Sequence, residues 1–397
     1  MADKVRLGII GLGAQGSMYA SFIDQGTVPN MEIGAIADID ATKEQTAATA
    51  YPGVPFFTDY TEMLASGTVD AVVTCVPHYL HPEMGIAALR AGIHALVEKP
   101  AGVYTAQVTE LIDYATTRPE LTFGIMFNQR NNPLYRRIKE IVDAGEIGAI
   151  RRTNWIITTW WRPQGYYDQS DWRATWGGEG GGVLVNQAPH QLDLWQWICG
   201  VPTSVFAKVG YGFRRDIAVE DEVTAVVDFG DGVTGVFVTA THDIVGTDRF
   251  EILGDRGKIV VEGSQTATVS RLVKDERELS ESMDMEAVRK LFMGEMDPAD
   301  YYSDEVIRFD SPWGAQHAGV LENFAANVLD GTPLLAPGSD GINGVRLANA
   351  IHLSSWLGAE VPLDFDEQQY LAELNERIRA EGAFPERAAP SGTAGTG

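Results

Sequence analysis

The chain has 397 residues, a formal net charge of −25 at pH 7 and 45% apolar residues. So acidic a chain, with no Lys/Arg cluster, would repel a phosphate backbone, which argues against nucleic acid as a partner. The length exceeds the roughly 250–300 residues at which one core stops growing, so we expect two domains. The sequence has no apolar run of the roughly 18 residues that a membrane span needs, and it shows no signal-peptide pattern.

Both cysteines, Cys75 and Cys199, lie in apolar segments without metal-binding spacing. Two cysteines are too few for a disulfide framework. We therefore expect a soluble cytoplasmic protein with no metal and no membrane partner.

Residues 1–130 alternate apolar strands with helical patterns, which predicts a parallel sheet with helical crossovers. The strand-like runs are "KVRLGII", "MEIGAIAD", "DAVVTCVP", "IHALVEKP" and "LTFGIMF".

A glycine motif, "GLGAQG", follows the first of these strands and opens a helix. Gly11 would allow the tight turn, Gly13 a close approach of the backbone to a pyrophosphate, and Gly16 close packing of helix and strand. The backbone at Ala14 and Gln15 would then face the phosphates. The motif predicts a dinucleotide site.

An acidic residue, Asp38, ends the second strand, 22 residues after Gly16. A carboxylate there accepts hydrogen bonds from the ribose diol of NAD and repels the 2′-phosphate of NADP. No arginine follows closely, and the nearest cation is Lys43. NAD is therefore favoured over NADP.

The segment "HALVEKPAG" places Glu98, Lys99 and Pro100 at the carboxyl end of a strand, the edge at which open α/β sheets bind ligands. A lysine there can exchange a proton with a substrate hydroxyl, and desolvation would lower its pKa toward that of a useful base. The alternative is a solvated strand cap. Pro100 could hold a cis peptide bond that directs the lysine.

The residue pattern changes over residues 131–365, where strand-like runs follow one another with short turns. This pattern predicts an α+β domain with a large, open, mainly antiparallel sheet. Two helical stretches in 319–365 are expected to pack back toward the first domain. In 366–397, Tyr370, Leu371, Leu374 and Ile378 share one helical face and predict a docked helix. The final "ERAAPSGTAGTG" is expected to be disordered.

Seven of the nine tryptophans fall within the 43 residues from Trp155 to Trp197. Indole faces stack on sugar rings, although core and subunit packing must account for at least half of them. The aromatic and basic residues expected nearest the pocket are Trp160, Trp161, Tyr167, Trp172 and Arg173.

The glycine-rich stretch "GEGGGVLVNQAPHQLD" places Asn186 four residues before His190, where Pro189 suits the first turn of a helix. Taken alone, His190 would more often be a structural histidine. Together with "GLGAQG", "CVPHYLHPEMGIAALRAGIHALVEKP", "GEIGAI" and "ENFAANVLDGTPLLAPGSDG", the stretch resembles the glucose-fructose oxidoreductase/inositol dehydrogenase (Gfo/Idh/MocA) family. The similarity covers roughly residues 4–365.

The resemblance implies a Rossmann domain that binds NAD(P), a second domain whose open sheet forms the interface of a homo-oligomer (dimer or tetramer), and hydride transfer at a sugar or polyol carbon. The resemblance implies that the lysine of the Glu-Lys-Pro motif is catalytic, and this lysine is Lys99. Lys99 and His190 would share the acid–base work. The family's usual aspartate is Asn186 here, and an amide can only hydrogen-bond a hydroxyl. His190 and Asp193 match the family pattern. His81 matches too, whereas His78 replaces a usual asparagine.

We therefore predict an NAD-dependent dehydrogenase that acts on a secondary hydroxyl of a sugar or glycoside, such as C3 of a pyranose. The catalytic candidates are Lys99, His190 and Asn186. The cofactor candidates are Gly11, Gly13, Ala14, Gln15, Gly16, Asp38, Pro77, His78, His81, Glu98, Lys99, Asn128, Trp172 and Arg173. The substrate candidates are Lys99, Trp160, Trp161, Tyr167, Asn186 and His190.

Three alternatives remain open at this point. One is an inositol dehydrogenase, and a second is a glycoside-cleaving enzyme that recycles bound NAD and releases no NADH. The third is a cofactor-binding sensor without chemistry, against which Lys99 and His190 argue.

Overall fold

The computed structural model describes residues 4–310, 312 and 314–388, and the first of its two sheets is the predicted Rossmann sheet. Its six parallel strands run in the order β3-β2-β1-β4-β5-β6. The elements are β1 (Val5–Ile10), α1 (Ala14–Asp24), β2 (Met31–Ala37), α2 (Lys43–Ala50), β3 (Phe56–Phe57), α3 (Tyr60–Ala65), β4 (Ala71–Thr74), α4 (His81–Arg90), β5 (His94–Val97), α5 (Thr105–Thr116) and β6 (Phe123–Ile125). Strand β4 is buried along its whole length, as expected when helices cover both faces of a parallel sheet.

The second sheet has nine strands in the order β14-β13-β12-β11-β7-β10-β9-β8-β15. Its elements are α6 (Pro133–Asp143), β7 (Ile150–Ile157), α7 (Gln164–Tyr167), α8 (Pro189–Cys199), β8 (Ser204–Tyr211), β9 (Glu220–Gly230), β10 (Val233–Ala240), β11 (Asp248–Gly254), β12 (Gly257–Glu262), β13 (Thr266–Leu272), α9 (Glu276–Ser282), α10 (Met285–Met293), β14 (Tyr302–Arg308), α11 (Ala315–Asp330), α12 (Gly341–Leu357), β15 (Val361–Pro362) and α13 (Glu367–Glu381). The sheet is mainly antiparallel, as predicted, but β10 pairs with β7 in parallel.

One face of the second sheet is covered and the other is open. Along β9, Val223, Ala225 and Val227 are buried. Val226, between two of them, is 47% exposed. This alternation of period two is typical of a sheet with one solvated face. The core on the covered face includes Trp155 and Trp195, which are fully buried, so these two tryptophans pack the domain.

Two late helices pack where the sequence pattern expected them. Leu321 and Phe324 of α11 belong to the same core cluster as β1 and α1 of the Rossmann sheet. Helix α12 packs against α5, α8 and β8, and so touches both domains. The chain therefore crosses back to its first domain after β14, before β15 adds the last edge strand of the second sheet.

Helices α9 and α10, which connect β13 to β14, were not predicted from the sequence. They are capped by the side chains of Asp275 and Asp284, and neither helix has a buried residue. Short helices without a buried face leave little periodic signal in the sequence.

The C-terminal helix α13 buries Tyr370, Leu371, Leu374 and Ile378, the face that its periodicity predicted. Residues 386–388, expected to be disordered, are instead anchored. The Arg387 backbone N–H donates to Asn375 Oδ1 over 2.6 Å, and its guanidinium carbon lies 3.7 Å from the centre of the Tyr79 ring. Composition does not reveal such contacts, and this part of the prediction is corrected. The rest of the predicted tail, residues 389–397, lies outside the described residues.

Candidate active site at the domain junction

A cleft of about 610 Å³ runs along the carboxyl edge of the parallel sheet and is closed on one side by the second domain. Most of the predicted cofactor residues line it. They are Gly11, Gly13, Ala14, Gln15, Asp38, Pro77, His78, His81, Glu98, Lys99, Trp172 and Arg173. Asn186 also lines this cleft.

The glycine turn between β1 and α1 suits a pyrophosphate. Gly11 has a φ of +94°, and a Cβ there would lie 2.3 Å from the Cys75 carbonyl oxygen. A Cβ at Gly13 would meet nothing within 4 Å, so the backbone there borders open space. Gly16 does not line the cleft, and a Cβ there would lie 2.0 Å from the Gly11 oxygen. Gly16 therefore allows helix and turn to pack closely, which is its predicted role.

Asp38 sits at the far end of the cleft from Lys99 and is held by three N–H donors. Its carboxylate accepts from Leu12 N at 2.7 Å, Asp40 N at 2.9 Å and Lys43 Nζ at 2.7 Å. Partial burial opposes ionisation, but the Lys43 ammonium and the backbone donors outweigh it and lower the pKa of Asp38. A carboxylate has about four acceptor sites, so this anion can still accept from a ribose hydroxyl.

Replacing Asp38 with alanine is expected to raise the NADP-to-NAD ratio of kcat/KM about 10- to 100-fold. The change removes a negative charge that would face the 2′-phosphate, and like charges in contact cost several kcal/mol. It also frees the Lys43 ammonium to pair with that phosphate. The check is kcat/KM for each cofactor in Asp38→Ala and in Asp38→Ala/Lys43→Met. An unchanged preference would contradict the ribose role, and the double variant should lose part of the gain.

Glu98 and Lys99 follow β5 and line the cleft. Buried hydrogen bonds hold the Glu98 carboxylate. Glu98 Oε1 accepts from the Tyr19 hydroxyl, and Glu98 Oε2 accepts from the Lys99 backbone N–H at 2.9 Å. The Lys99–Pro100 peptide is cis. Burial lowers the pKa of the Lys99 ammonium, while the Glu98 and Glu179 charges oppose that shift. A lower pKa increases the fraction of neutral amine at a given pH, so Lys99 accepts a proton from a substrate hydroxyl more readily than a solvated lysine would.

The two histidines after β4 support the cleft wall. Both ring nitrogens of His81 face backbone carbonyl oxygens, at 2.6 Å from Pro100 and 2.8 Å from Val76. Burial lowers the pKa of His81 to about 4. The Nδ1 atom of His78 lies 3.1 Å from the Glu179 carbonyl oxygen, across the domain boundary. His81 therefore braces the turn that carries Lys99, and His78 joins this turn region to the second domain.

Asn186 joins the two domains at the acid–base centre. Its backbone carbonyl oxygen accepts from Lys99 Nζ over 2.8 Å, and its side-chain Nδ2 donates to Glu179 Oε1. Beside this pair, the Arg173 guanidinium carbon lies 4.7 Å from the Tyr166 ring centre and 4.9 Å from that of Trp172. Arg173 and Trp172 thus form one packed wall of the cleft.

His190 is the second residue of α8, which begins at Pro189 as predicted. Burial, and then the nearby Lys99 and His317, hold the pKa of His190 well below its usual value. Its Nδ1 atom is buried and has no hydrogen-bond partner among the described residues. An imidazole that is neutral at pH 7 and has an unused ring nitrogen can bind a substrate hydroxyl.

His317, near the start of α11, completes this group and was not predicted. Its Nε2 lies 2.8 Å from Asn128 Nδ2, and burial together with the Lys99 charge lowers its pKa to about 4. Asn128 was predicted to bind the cofactor, but it does not line the cleft. It contacts His317 instead. The Asn128 Oδ1 atom is buried and has no partner in the described part of the chain. These groups converge on the space next to Lys99.

Four predicted substrate residues, His190, Trp160, Trp161 and Tyr167, are not among the residues that line this cleft. Tyr167 is 7% exposed and donates its hydroxyl to Thr241 Oγ1 over 3.0 Å, so the prediction that it binds substrate is corrected to a role in the core. Trp161 is 40% exposed, and Trp160 packs partly against the core of the second domain. Stacking propensity alone could not tell a sugar-binding indole from a packing one.

Glu179 and His317 are the residues that sequence reasoning missed. Glu179 left a signal, since it is a single acid inside a run of five glycines, Gly177, Gly178, Gly180, Gly181 and Gly182. His317 left none, because 127 residues separate it from His190 and only tertiary packing brings them together. Among the residues that the structure describes, no group of three His, Cys, Asp or Glu side chains is placed to hold a metal ion.

Comparison with known proteins agrees with this geometry. Residues 5–124 match the oxidoreductase family with an NAD-binding Rossmann fold, and residues 135–260 match the GFO/IDH/MocA C-terminal domain. The chain belongs to the Gfo/Idh/MocA family of oxidoreductases. The predicted family, fold, NAD cofactor and enzyme class are thereby confirmed.

Individual relatives are distant but span nearly the whole chain. An uncharacterized oxidoreductase, YrbE of Bacillus subtilis, is 26% identical and aligns over 93% of this chain and 99% of its own length. A myo-inositol 2-dehydrogenase of Thermotoga maritima is 25% identical and aligns over 87% of this chain and 95% of its own. The WlbA dehydrogenase of Bordetella pertussis, solved with NADH and UDP-GlcNAcA, is 25% identical with a TM-score of 0.73, covering 91% of this chain and 100% of that one.

Proposed function

We propose that this enzyme oxidises a secondary hydroxyl of a sugar or glycoside, with NAD as hydride acceptor. One observation carries the proposal: in a cleft that ends in a dinucleotide turn, Lys99 from the first domain donates to the backbone oxygen of Asn186 from the second. His190 lies close enough for the Lys99 charge to help lower its pKa. The structural neighbour solved with NADH and a nucleotide sugar supports a sugar-type substrate.

NAD held in the cleft would supply the hydride acceptor for the carbinol carbon, and the chain's own residues handle the hydroxyl proton. Lys99, as the neutral amine, takes the proton and becomes ammonium. Asn186 and His190 hydrogen-bond the reacting oxygen or its neighbour, which fixes the carbon relative to the base. Positioning of this kind and a general base together lower the barrier.

An inositol is the second candidate substrate, because a relative that spans most of the chain is a myo-inositol 2-dehydrogenase. A ring polyol presents the same secondary hydroxyl to Lys99 and His190. The two candidates therefore differ in the shape of the substrate, while the chemistry is the same.

The deciding experiment is a panel of monosaccharides, glycosides, nucleotide sugars and inositols, with NADH absorbance as the readout. We expect turnover with a pyranose or its glycoside. Turnover with inositols alone would select the second candidate. Release of an aglycone from an aryl glycoside without net NADH would instead show glycoside cleavage with recycled NAD. No turnover at all on the panel, with NADH still bound, would favour a sensor.

We also propose a homo-oligomer, dimer or tetramer, that associates through the open sheet face. Phe206, Val226 and Val236 are paired across β8, β9 and β10 and form an apolar row on that face. A charge introduced in this row, as in Val226→Arg, should yield a smaller species by light scattering. If the mass is unchanged, the interface lies elsewhere.

A cytoplasmic location is the remaining part of the proposal. Its support is the cysteine content, since the two free thiols Cys75 and Cys199 lie in different domains. No helix among the described residues is long and apolar enough to cross a membrane.

A further inference from the structure

Glu179 is a buried carboxylate behind the wall of the active-site cleft. It is 1% exposed, and its nearest cation, Arg173 NH1, lies 3.6 Å from Oε1, beyond an ordinary hydrogen bond. Its Oε2 accepts from the Ala174 backbone N–H at 2.7 Å. Burying an incompletely paired carboxylate costs several kcal/mol, so its surroundings must compensate for the charge.

The Glu179 carboxylate sets the orientation of the Asn186 amide. An ionised carboxylate only accepts hydrogen bonds, so the amide group that faces Glu179 Oε1 must be the Nδ2 donor. Asn186 lines the cleft, and no described residue donates a hydrogen bond to its Oδ1. Asn186 therefore presents an acceptor oxygen to the substrate, suited to a hydroxyl that must give up its proton.

The same carboxylate is coupled to Lys99. Lys99 Nζ donates to the Asn186 backbone oxygen. Burial lowers the pKa of Lys99, the Glu98 charge and then the Glu179 charge raise it, and the Arg173 charge lowers it. Burial raises the pKa of Glu179 and the Glu220 charge adds to that effect, while the Ala174 N–H, the Arg173 charge and the Asn186 amide favour the ionised form. Lys99, Asn186 and Glu179 thus form one connected group across the domain boundary.

We propose that Glu179 is a positioning residue of the acid–base centre. Its carboxylate holds the Asn186 amide with the oxygen toward the substrate, and it supplies beside Lys99 the negative charge that an asparagine at position 186 lacks. This inference rests on the proposed oxidation of a hydroxyl at this site.

The test is the pH dependence of kcat/KM in Glu179→Gln. The substitution keeps the shape and an oxygen that can accept from Asn186, but it removes the charge. Loss of a nearby negative charge lowers the pKa of Lys99, so the acidic limb of the profile should move to lower pH by about one unit. We also expect kcat to fall about tenfold, with the NADH dissociation constant unchanged.

A second readout does not depend on turnover. Competitive acetylation across a pH series, read by mass spectrometry, titrates the Lys99 amine in the cofactor-free enzyme. The Lys99 titration should move to lower pH in Glu179→Gln, in the same direction as the kinetic limb. A purely structural role for Glu179 would change reactivity without moving the titration midpoint.

The matched control is Glu220→Gln. Glu220 is also 1% exposed and binds the same loop through Leu184 N at 3.0 Å, but it does not contact Asn186. Glu220 acts on Glu179 only as a like charge that raises its pKa, so its removal favours ionised Glu179. Glu220→Gln should therefore leave both the acidic limb and the Lys99 midpoint in place. The exchange variant Glu179→Gln/Asn186→Asp returns a carboxylate to the group and should bring the limb back toward the wild-type value.

The outcomes separate this inference from the proposed function. If the wild type is active but Glu179→Gln leaves the limb and the midpoint where Glu220→Gln leaves them, the positioning role is overturned. The same holds if the exchange variant restores nothing. If instead the wild type oxidises no member of the substrate panel, the proposed function fails, while the acetylation experiment still reports whether Glu179 acts on Lys99.

Discussion

Lys99→Ala is expected to lower kcat/KM by about 10²- to 10⁴-fold, the usual contribution of a positioned acid–base group. This corresponds to about 3–5 kcal/mol of transition-state stabilisation. The expectation follows from the place of Lys99 at the carboxyl end of β5, with its pKa lowered by burial and its ammonium bonded to the Asn186 carbonyl oxygen. Steady-state kinetics with the best substrate of the panel measures the loss.

NADH affinity, followed by fluorescence titration, should stay close to the wild-type value in Lys99→Ala. The matched control is Lys43→Met, which removes another lysine that lines the cleft but pairs with Asp38 at the opposite end. It should change the KM for the cofactor and leave kcat nearly intact. If Lys99→Ala behaves like Lys43→Met, Lys99 is not the base. Partial recovery of the alanine variant by added small amines would support the assignment directly.

Arg130→Met is expected to destabilise the folded protein by about 3–5 kcal/mol, because it leaves a buried carboxylate without its partner. The Arg130 guanidinium makes two bonds to Asp193, at 3.0 and 2.6 Å, and a third to Asp340 at 2.7 Å. Both side chains of the Arg130–Asp193 pair are 3% exposed. The pair joins the segment after β6 to α8, the helix that carries His190. Chemical denaturation monitored by circular dichroism measures the loss.

Arg6→Met is the matched control for Arg130→Met, because Arg6 also makes two bonds to an aspartate, Asp70, but its side chain is 41% exposed. An exposed pair of this kind is worth at most about 1 kcal/mol. The double variant Arg130→Met/Asp193→Asn should recover part of the stability, since it removes the stranded charge. Equal losses in Arg130→Met and Arg6→Met would show that burial adds nothing to this ion pair.

Local patterns predicted the elements whose signals are confined to neighbouring residues. The turn at Gly11, the carboxylate at Asp38 and the helix start at Pro189 each follow from backbone or capping requirements that a short segment expresses by itself. Strand-like runs separated by short turns likewise predicted a large, mainly antiparallel sheet in the second domain. The parallel pairing of β7 with β10 was missed, because strand order depends on contacts between distant segments.

The side-chain partners in the site were less predictable. Tyr167 and Trp161 were placed near the substrate because aromatic residues before a glycine track suit a sugar, yet the structure gives Tyr167 a core hydrogen bond to Thr241. A tyrosine has the same composition signal in either role. His317 reaches the site only because α11 returns to the Rossmann sheet, and no pattern around residue 317 indicates it.

The sequence by itself determined the cofactor fold, the NAD cofactor and the place of Lys99 at the end of β5, since glycine turns, a strand-end acid and a strand-end lysine act through local geometry. The tertiary structure decided which side chains face that lysine. Burial and proximity set the protonation of His190 and His317 and join Glu179 to Asn186. These effects depend on the separation of groups in space, which linear order does not contain.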